Sequence, residues 1–403
     1  MSSEDYVRRT AVTRLDIPES ESSLLRETMQ EWQNACQIAA ERAWGSTTDA
    51  TSVQSMAYDA VRDETDLKSQ HSILATHRVA DTLRSITEKN DRGWDAPKPQ
   101  FTSPTVAYDQ RSMSFFDDGT VSLATVETRV RATLRLPDNE DGYQQQFFEN
   151  ESWEVTQSTL HERDEAFFLH IGFKKTAESD RQQEYGTVLG VDLGIDNIAV
   201  TSTAQFFSGD ELKHHRQELR RKRRRLKQTG TRSALRTLIH IENKERRIAR
   251  DTLHRVANGV VAEAKRYCCD IIAFEALDDI RGRLPDGDMF HSWAFGRLIE
   301  YITYKARGQG IGITHVSPEY TSQRCAECGH VAEANRSSRE QFLCQSCGAS
   351  ANADYNAAKN IGERAVRRVQ QPTRRMSVSR YALKSGTVTP DEGFTPQDGR
   401  VRG

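Results

Sequence analysis

Between residues 6 and 17 apolar and polar side chains alternate (YVRRTAVTRLDI), the rhythm of a strand with one face buried, and Pro18 stops it. From 19 to 44 the rhythm changes. Leu24, Leu25, Met29, Trp32, Cys36, Ala39, Ala40 and Ala43 recur at helical spacing, and a second helical pattern runs from 73 to 86. The stretch DRGWDAPKPQ (91–100) breaks it with glycine and two prolines. Alternation then returns in short runs: SMSFFDDGTVSLATV with a turn at Asp118 and Gly119, RVRATLRL, and WEVTQSTLHERDEAFFLHIGF. Such runs predict an antiparallel barrel or sheet. One strand before the helices and several after them predict a β-domain with a helical insertion.

At Thr187 alternation gives way to an unbroken apolar strand, TVLGVD, followed by a glycine turn and a second strand from about Asn197. A helical pattern over 240–267 places Ile241, Ile248, Leu253, Val256, Val260 and Val261 on a buried side, with Arg250 and His254 on a face open to solvent or phosphate. CCDIIAFE is another buried strand, with Glu275 at its end. The segment 291–307 is an amphipathic helix with Trp293, Phe295, Leu298, Ile302 and Tyr304 on its apolar side, and GIGITHVSP is a third strand. Strands alternating with helices predict an α/β sheet.

Composition narrows the class. A chain of 403 residues, 36% hydrophobic, has room for two or three domains with real cores. No apolar run approaches the roughly 20 residues that span a bilayer, and MSSEDYVRRT lacks the apolar block of a secretion signal. A cytoplasmic protein without a membrane partner is expected. Seven cysteines, four in metal spacing, suit a reducing compartment better than a disulfide framework; Cys36, Cys268 and Cys269 read as core or near-core thiols. The net charge of −2 conceals strong clustering: KHHRQELRRKRRRLK (213–227) carries nine Lys or Arg against one Glu. A charge run can be a solvated face, but like charges at helical spacing destabilise one another without acids to offset them. The pattern favours a phosphate-binding helix in which Arg220, Arg221, Lys222, Arg223, Arg224, Arg225 and Lys227 meet nucleic acid.

The chemistry concentrates in 320–362. Cys325 and Cys328 are two residues apart, Cys344 and Cys347 likewise, and fifteen residues separate the pairs. Four thiolates so spaced can close a tetrahedral Zn²⁺ shell; a redox dithiol is the alternative reading. Four protein ligands leave no open position for water, so such a zinc would be a structural strut. Asp354 opens a helix seven positions after the last thiol. Each of Asp192, Glu275 and Asp354 alone could be a cap or a surface group. A single α/β sheet could instead bring all three to the rim where ligands of such sheets gather. Converging carboxylates persist only with a cation between them, and Mg²⁺ or Mn²⁺ suits oxygen ligands and phosphodiester hydrolysis.

VDLGIDNIAV, IIAFEALDDI and the knuckles followed by ANADYNAAKNIG resemble the three RuvC-type catalytic segments and the zinc ribbon of the TnpB/OrfB proteins. These are transposon-encoded RNA-guided DNA endonucleases related to the type V CRISPR effectors. The resemblance covers most of 1–362, more loosely in the first third. It implies an α/β, RNase H-like (RuvC) nuclease domain over 186–320 and 351–362 with an inserted zinc ribbon at 321–350. Before it would come a β-barrel domain (1–18 and 96–185) carrying a helical recognition domain (19–95), and after it a mobile tail (363–403). It also implies catalytic metal-binding acids Asp192, Glu275 and Asp354, zinc ligands Cys325, Cys328, Cys344 and Cys347, a guide RNA from the transposon end, and a double-stranded DNA target. Asp196 departs from the family, which often has Asn there. Two other readings remain: a zinc-ribbon regulator of transposition without nuclease activity, and an actin-like ATPase using the DLG turn, which would need a later glycine-rich turn, and the sequence has none near Phe274 or His315.

Overall fold

The computed structural model describes residues 6–136, 144–176, 186–229, 231–276, 289–369, 382–383, 386–389 and 393–396. The chain divides into two compact units, Met1–Thr176 and Ala177–Gly403.

In the first unit β1 (Tyr6–Asp16) leads into α1 (Glu19–Ala43), α2 (Ala50–Glu64) and α3 (Ser69–Asp91). Then follow β2 (Thr105–Tyr108), β3 (Met113–Phe115), β4 (Thr120–Ala124), β5 (Arg129–Arg135), the single turn α4 (Gln145–Phe148), β6 (Glu154–Val155), β7 (Ser158–Arg163) and β8 (Ala166–Thr176). The sequence reading missed α2. Its buried stripe is only Val53, Ala57 and Val61, too narrow and small to stand out, although Asp49 marks its start by accepting the Ser52 N–H. The turn at 118–119 forms a hairpin: Gly119 takes φ +74° and Asp118 accepts from the Thr120 amide and hydroxyl.

The antiparallel sheet runs β2-β7-β8-β1-β5-β4-β3, with β6 beside β8. Among the described residues β2 and β3 do not pair, so the sheet stays an open half-barrel instead of closing as a barrel. Closure would need a ladder between them, and β3 is only three residues long. The Tyr108 hydroxyl donates instead to the Ala124 carbonyl at the end of β4. Helices and sheet share one core that includes Leu25, Trp32, Leu74, Leu160 and Ile171.

His71 sits in that core, 1% exposed, edge-on to Trp32 and Tyr108, with neither ring nitrogen hydrogen-bonded. Burial pushes it down to about 4. A histidine held neutral by folding gives stability present above its unfolded pKa and lost as pH falls from there toward the folded value. Lowering the pH from 7.5 to 5 is therefore expected to cost about 2 kcal/mol from this group. Denaturant titrations of wild type and His71→Leu check this: the variant should lose less stability over that interval, and an equal loss would refute it.

The second unit contains β9 (Val188–Asp192), β10 (Asn197–Thr201), β11 (Phe206–Ser208), α5 (Asp210–Thr229), α6 (Arg232–Arg266), β12 (Ile271–Glu275), α7 (Met289–Arg307) and β13 (Gly312–Val316). After these come β14 (Gln341–Leu343), β15 (Ser350–Asn352), α8 (Ala353–Val369) and a terminal hairpin of β16 (Gly386–Thr389) and β17 (Gly393–Pro396). The main sheet runs β11-β10-β9-β12-β13; the first three strands are antiparallel, and β9, β12 and β13 are parallel. Alternate residues of its central strands go to different cores. Leu189, Val191, Ile272 and Phe274 pack on the side of α6 and α7, while Val188 and Ala273 pack with Ile361, Ala365 and Val366 of α8. Burial on both faces is why these strands read as unbroken apolar runs.

Gly190 lets α8 sit directly on β9: a Cβ there would fall 2.1 Å from the Ala358 carbonyl oxygen. The expected mobile tail at 363–403 differs in the terminal hairpin of β16 and β17 and in two further places. α8 continues to Val369 because Ala365 and Val366 extend its buried stripe, and Ala382 is buried, its amide donating to the Val188 carbonyl. Residues 370–381 and 397–403 lie outside the described part, as do 277–288 and the Trp293 side chain. Cys36 and Cys269 are buried as expected, but Cys268 is exposed in a left-handed turn at φ +51°. Among the described residues no helix is long and apolar enough to cross a membrane.

Candidate metal centres

The alternation of β9 and β12 fixes where their last residues point. Asp192 has the parity of Val188 and Gly190, and Glu275 that of Ile271 and Ala273, so both carboxylates belong to the face covered by α8. Gly190 pairs with Ala273 across the parallel strands, and two residues further each chain reaches its acid. Asp354 stands in the first turn of α8, whose start is capped by Asn352 accepting the amides of Asp354 and Tyr355 at 3.0 and 3.1 Å. Strand ends and helix start thus bring all three acids to the wall of one cleft of about 330 Å³.

Two of the acids have side-chain anchors. Thr321 donates its hydroxyl to Glu275, and Asn197 Nδ2 donates to Asp354 Oδ2 at 3.1 Å. Arg336 lies 3.8 Å from the other Asp354 oxygen. Asp192 is enclosed by protein on most sides, and that desolvation, with Glu275 and Asp354 beside it, raises its carboxyl well above the usual range; Arg336 opposes the rise. Among the described residues the four thiols treated below form a group whose ligand atoms all lie within 4.8 Å of one another, and the three acids do not. A carboxyl that resists ionisation beside two other acids is one a divalent cation would stabilise, and oxygen donors of this kind fit Mg²⁺ or Mn²⁺.

The cleft has a cationic side that the sequence reading missed. Arg339 reaches Asp196 at 2.7 Å, and Lys213 of α5 grips the other Asp196 oxygen. Lys213, with Arg339 beyond it, holds Asp196 below the usual carboxylate range. Asp196, Arg336, Arg339 and Glu340 all line the cleft. Nothing in the spacing of Arg336 and Arg339 marks them; folding of the cysteine segment carries them there.

The four cysteine sulfurs lie within 4.8 Å of one another. Cys325 Sγ is 3.7 Å from Cys347 Sγ, and Cys328 Sγ is 3.6 Å from Cys344 Sγ. Ligands about 2.3 Å from a tetrahedral ion stand about 3.8 Å apart, whereas a disulfide would need about 2.05 Å. The thiols therefore fit zinc and do not form disulfides. Gly329 and Gly348, at φ +77° and +73°, make the left-handed turn after each CxxC loop. Burial acts to raise the Cys344 thiol, but the amides of Cys347 and Ser346 outweigh it and bring it down to about 6, whereas burial pushes Cys325 up to about 12.

The knuckle is fastened to α8 by residues whose role the sequence reading did not assign. Asn356 accepts the Ala326 amide at 3.1 Å and donates to the Arg324 carbonyl at 2.8 Å. Asn360, one turn on, donates to the Thr321 and Arg324 carbonyls at 2.9 and 2.7 Å. Lys359, 5% exposed, pairs with Glu327 at 2.6 Å. Spacing of four between Asn352, Asn356 and Asn360 was the available signal: buried amides one helical turn apart demand partners.

On the basic helix, Arg220, Arg221, Lys222, Arg224, Arg225 and Lys227 are exposed. Arg223 is not: it pairs with Glu245 of α6 at 2.8 Å, and Arg216 lies 3.6 Å from the same residue. The offsetting acid that seemed missing comes from a neighbouring helix. His254 is also committed to packing, stacked on Tyr301 at 3.9 Å.

Two family models match the chain: the Cas12f1-like TNB domain over 295–361 and a family described as "Probable transposase" over 169–280. A CRISPR-associated endodeoxyribonuclease Cas12f1 from Sulfoacidibacillus thermotolerans is 29% identical over 218 residues, half of each chain. The TnpB-like protein aq_aa05 of Aquifex aeolicus is 29% identical over 153 residues, 36% of this chain and 49% of that one. The chain thus spans about half the length of these curated relatives. The solved Cas12f1-sgRNA-target DNA complex superposes with a TM-score of 0.65 at 16% identity, covering 86% of this chain and 83% of the other, a likeness of fold.

Proposed function

From the premise that the chain is a TnpB-like relative of the type V effectors, we propose that it is an RNA-guided, metal-dependent DNA endonuclease of a transposon. The observation that carries this reading is the convergence of Asp192, Glu275 and Asp354 on one cleft from two adjacent strand ends and a helix start. In it the sheet is of the RNase H-like (RuvC) type, with the zinc ribbon inserted between β13 and α8.

Asp192, Glu275 and Asp354 would hold Mg²⁺ or Mn²⁺, which when bound supplies activation of a water and stabilisation of the leaving oxygen of a phosphodiester. Hydrolysis would leave a 3′-hydroxyl and a 5′-phosphate. The chain's own side chains set the conditions. Thr321 and Asn197 fix the orientation of Glu275 and Asp354, and Arg336 and Arg339 give a polyanion a cationic approach to an acidic cleft. The exposed Arg220, Arg221, Lys222, Arg224, Arg225 and Lys227 suit a phosphate backbone. Sequence choice would come from base pairing of a guide RNA with the DNA target.

The test is to sequence the RNA that copurifies with the protein, reconstitute the complex, and assay cleavage of a matched plasmid with Mg²⁺. Cutting that requires both the RNA and the match is expected; absence of cutting under every pairing of RNA and target would overturn the proposal.

A further inference from the structure

A second hollow, of about 210 Å³, shares a wall with the acid cleft: Gly194 and Ile195 line both. We infer that this hollow receives one base of the strand being cut, next to the phosphate held at the acids. The inference rests on the nuclease reading and deepens it.

The turn and helix that build the hollow are brought close by Gly209, where a Cβ would meet the Ile195 carbonyl oxygen at 2.8 Å. Its floor is apolar: Ile198 from β10, Leu212 from α5, Leu253 from α6, and Ala294 and Phe295 from α7. Its rim is one face of α5, where Lys213, Arg216, Gln217 and Arg220 follow at helical spacing. Lys213 is tied to Asp196 and Arg216 to Glu245, so much of the charge at the rim is already balanced.

That distribution matches the parts of a nucleotide. An uncharged base, flat and apolar on its faces, fits a near-neutral hollow with an aromatic ring in its floor, while the attached phosphate remains outside, toward the cleft that shares the wall. The volume lies below the roughly 300–1,000 Å³ of pockets for drug-sized ligands, suiting a single ring system rather than a whole free nucleotide. The amide of exposed Gln217 offers a donor and an acceptor to a base edge.

The experiment uses the reconstituted complex and substrates carrying one abasic site at successive positions around the cut. One position within about two nucleotides should lose about tenfold or more in cleavage rate, the range expected from losing one base stack. Gln217→Ala, on the exposed rim, and Ala294→Phe, which fills the hollow, should each lower the rate on intact substrate. Neither should add a further loss at the sensitive position. A flat abasic profile, or losses that simply multiply, would overturn the inference.

A second measurement does not depend on cutting: photo-crosslinking to the Asp192→Asn protein of strands carrying 5-iodouracil at successive positions, mapped by peptide. Crosslinks at Phe295 or Gln217 support the hollow even if no protein cuts, in which case the nuclease reading alone fails. Crosslinks only elsewhere overturn it even if cutting is robust. Added nucleoside monophosphate should not compete; competition at micromolar concentration would assign the hollow to a free nucleotide instead.

Discussion

Replacing Asp192 by asparagine is expected to lower metal-dependent DNA cleavage by about 1,000-fold or more while raising the melting temperature of the metal-free protein by a few degrees. The loss follows because a metal ion's stabilisation of developing charge is worth several kcal/mol, and each 1.36 kcal/mol is a factor of ten. The gain follows because Asp192, largely enclosed by protein, faces Glu275 and Asp354, and its ionised form is disfavoured there. Asparagine keeps the shape and removes one of three like charges. Single-turnover cleavage and thermal melts with and without Mg²⁺ check both halves. Mg²⁺ should stabilise wild type more than the variant, since ligand binding to the folded state adds stability that grows with the logarithm of its affinity. A variant that cuts like wild type would remove Asp192 from the reaction. One that melts lower without metal would show that the acids are not under mutual strain.

Cys344→Ser is expected to release zinc and abolish cleavage although it touches no carboxylate. A structural zinc contributes on the order of 10 kcal/mol of folding energy to its segment, and the segment here is fastened to α8 through Asn356, Lys359 and Asn360. Loosening it frees the helix that aims Asp354, the Thr321 that holds Glu275, and the loop bearing Arg336 and Arg339. Metal release read with a colorimetric chelator, hydrogen exchange over 321–360 and the cleavage rate should move together. Exchange in β1 and α1 of the first unit should not change. Asn360→Ala separates the two roles: zinc stays bound while cleavage falls at least about tenfold, one misplaced acid being enough for that. Full activity in a zinc-free protein would refute the strut.

Much of the site was legible because it is written in local rules. CxxC spacing dictates a tetrahedral shell whatever surrounds it. Strand parity dictates that a residue two beyond Gly190 shares its face. The DG turn specifies its hairpin. Other features failed where the signal was weak or distant. α2 hid because three small residues make a faint stripe. The basic helix seemed uncompensated because Glu245, which meets Arg216 and Arg223, lies on the next helix. Cys268 looked like a core thiol beside Cys269, but a left-handed turn exposes the first and buries the second.

The sequence by itself determined which four cysteines could ligate a metal, which strands were buried on two faces and where positive charge gathers, since periodicity, spacing and composition act between near neighbours in the chain. Only the tertiary structure decided that Asp192, Glu275 and Asp354 share a cleft, that Asn356 and Asn360 bind the knuckle to α8, and that Arg336 and Arg339 complete the wall. It also decided that, among the described residues, the first unit's sheet stays open. Those outcomes depend on pairings between segments tens to hundreds of residues apart, which packing and hydrogen-bond satisfaction select and which leave no periodic trace along the chain.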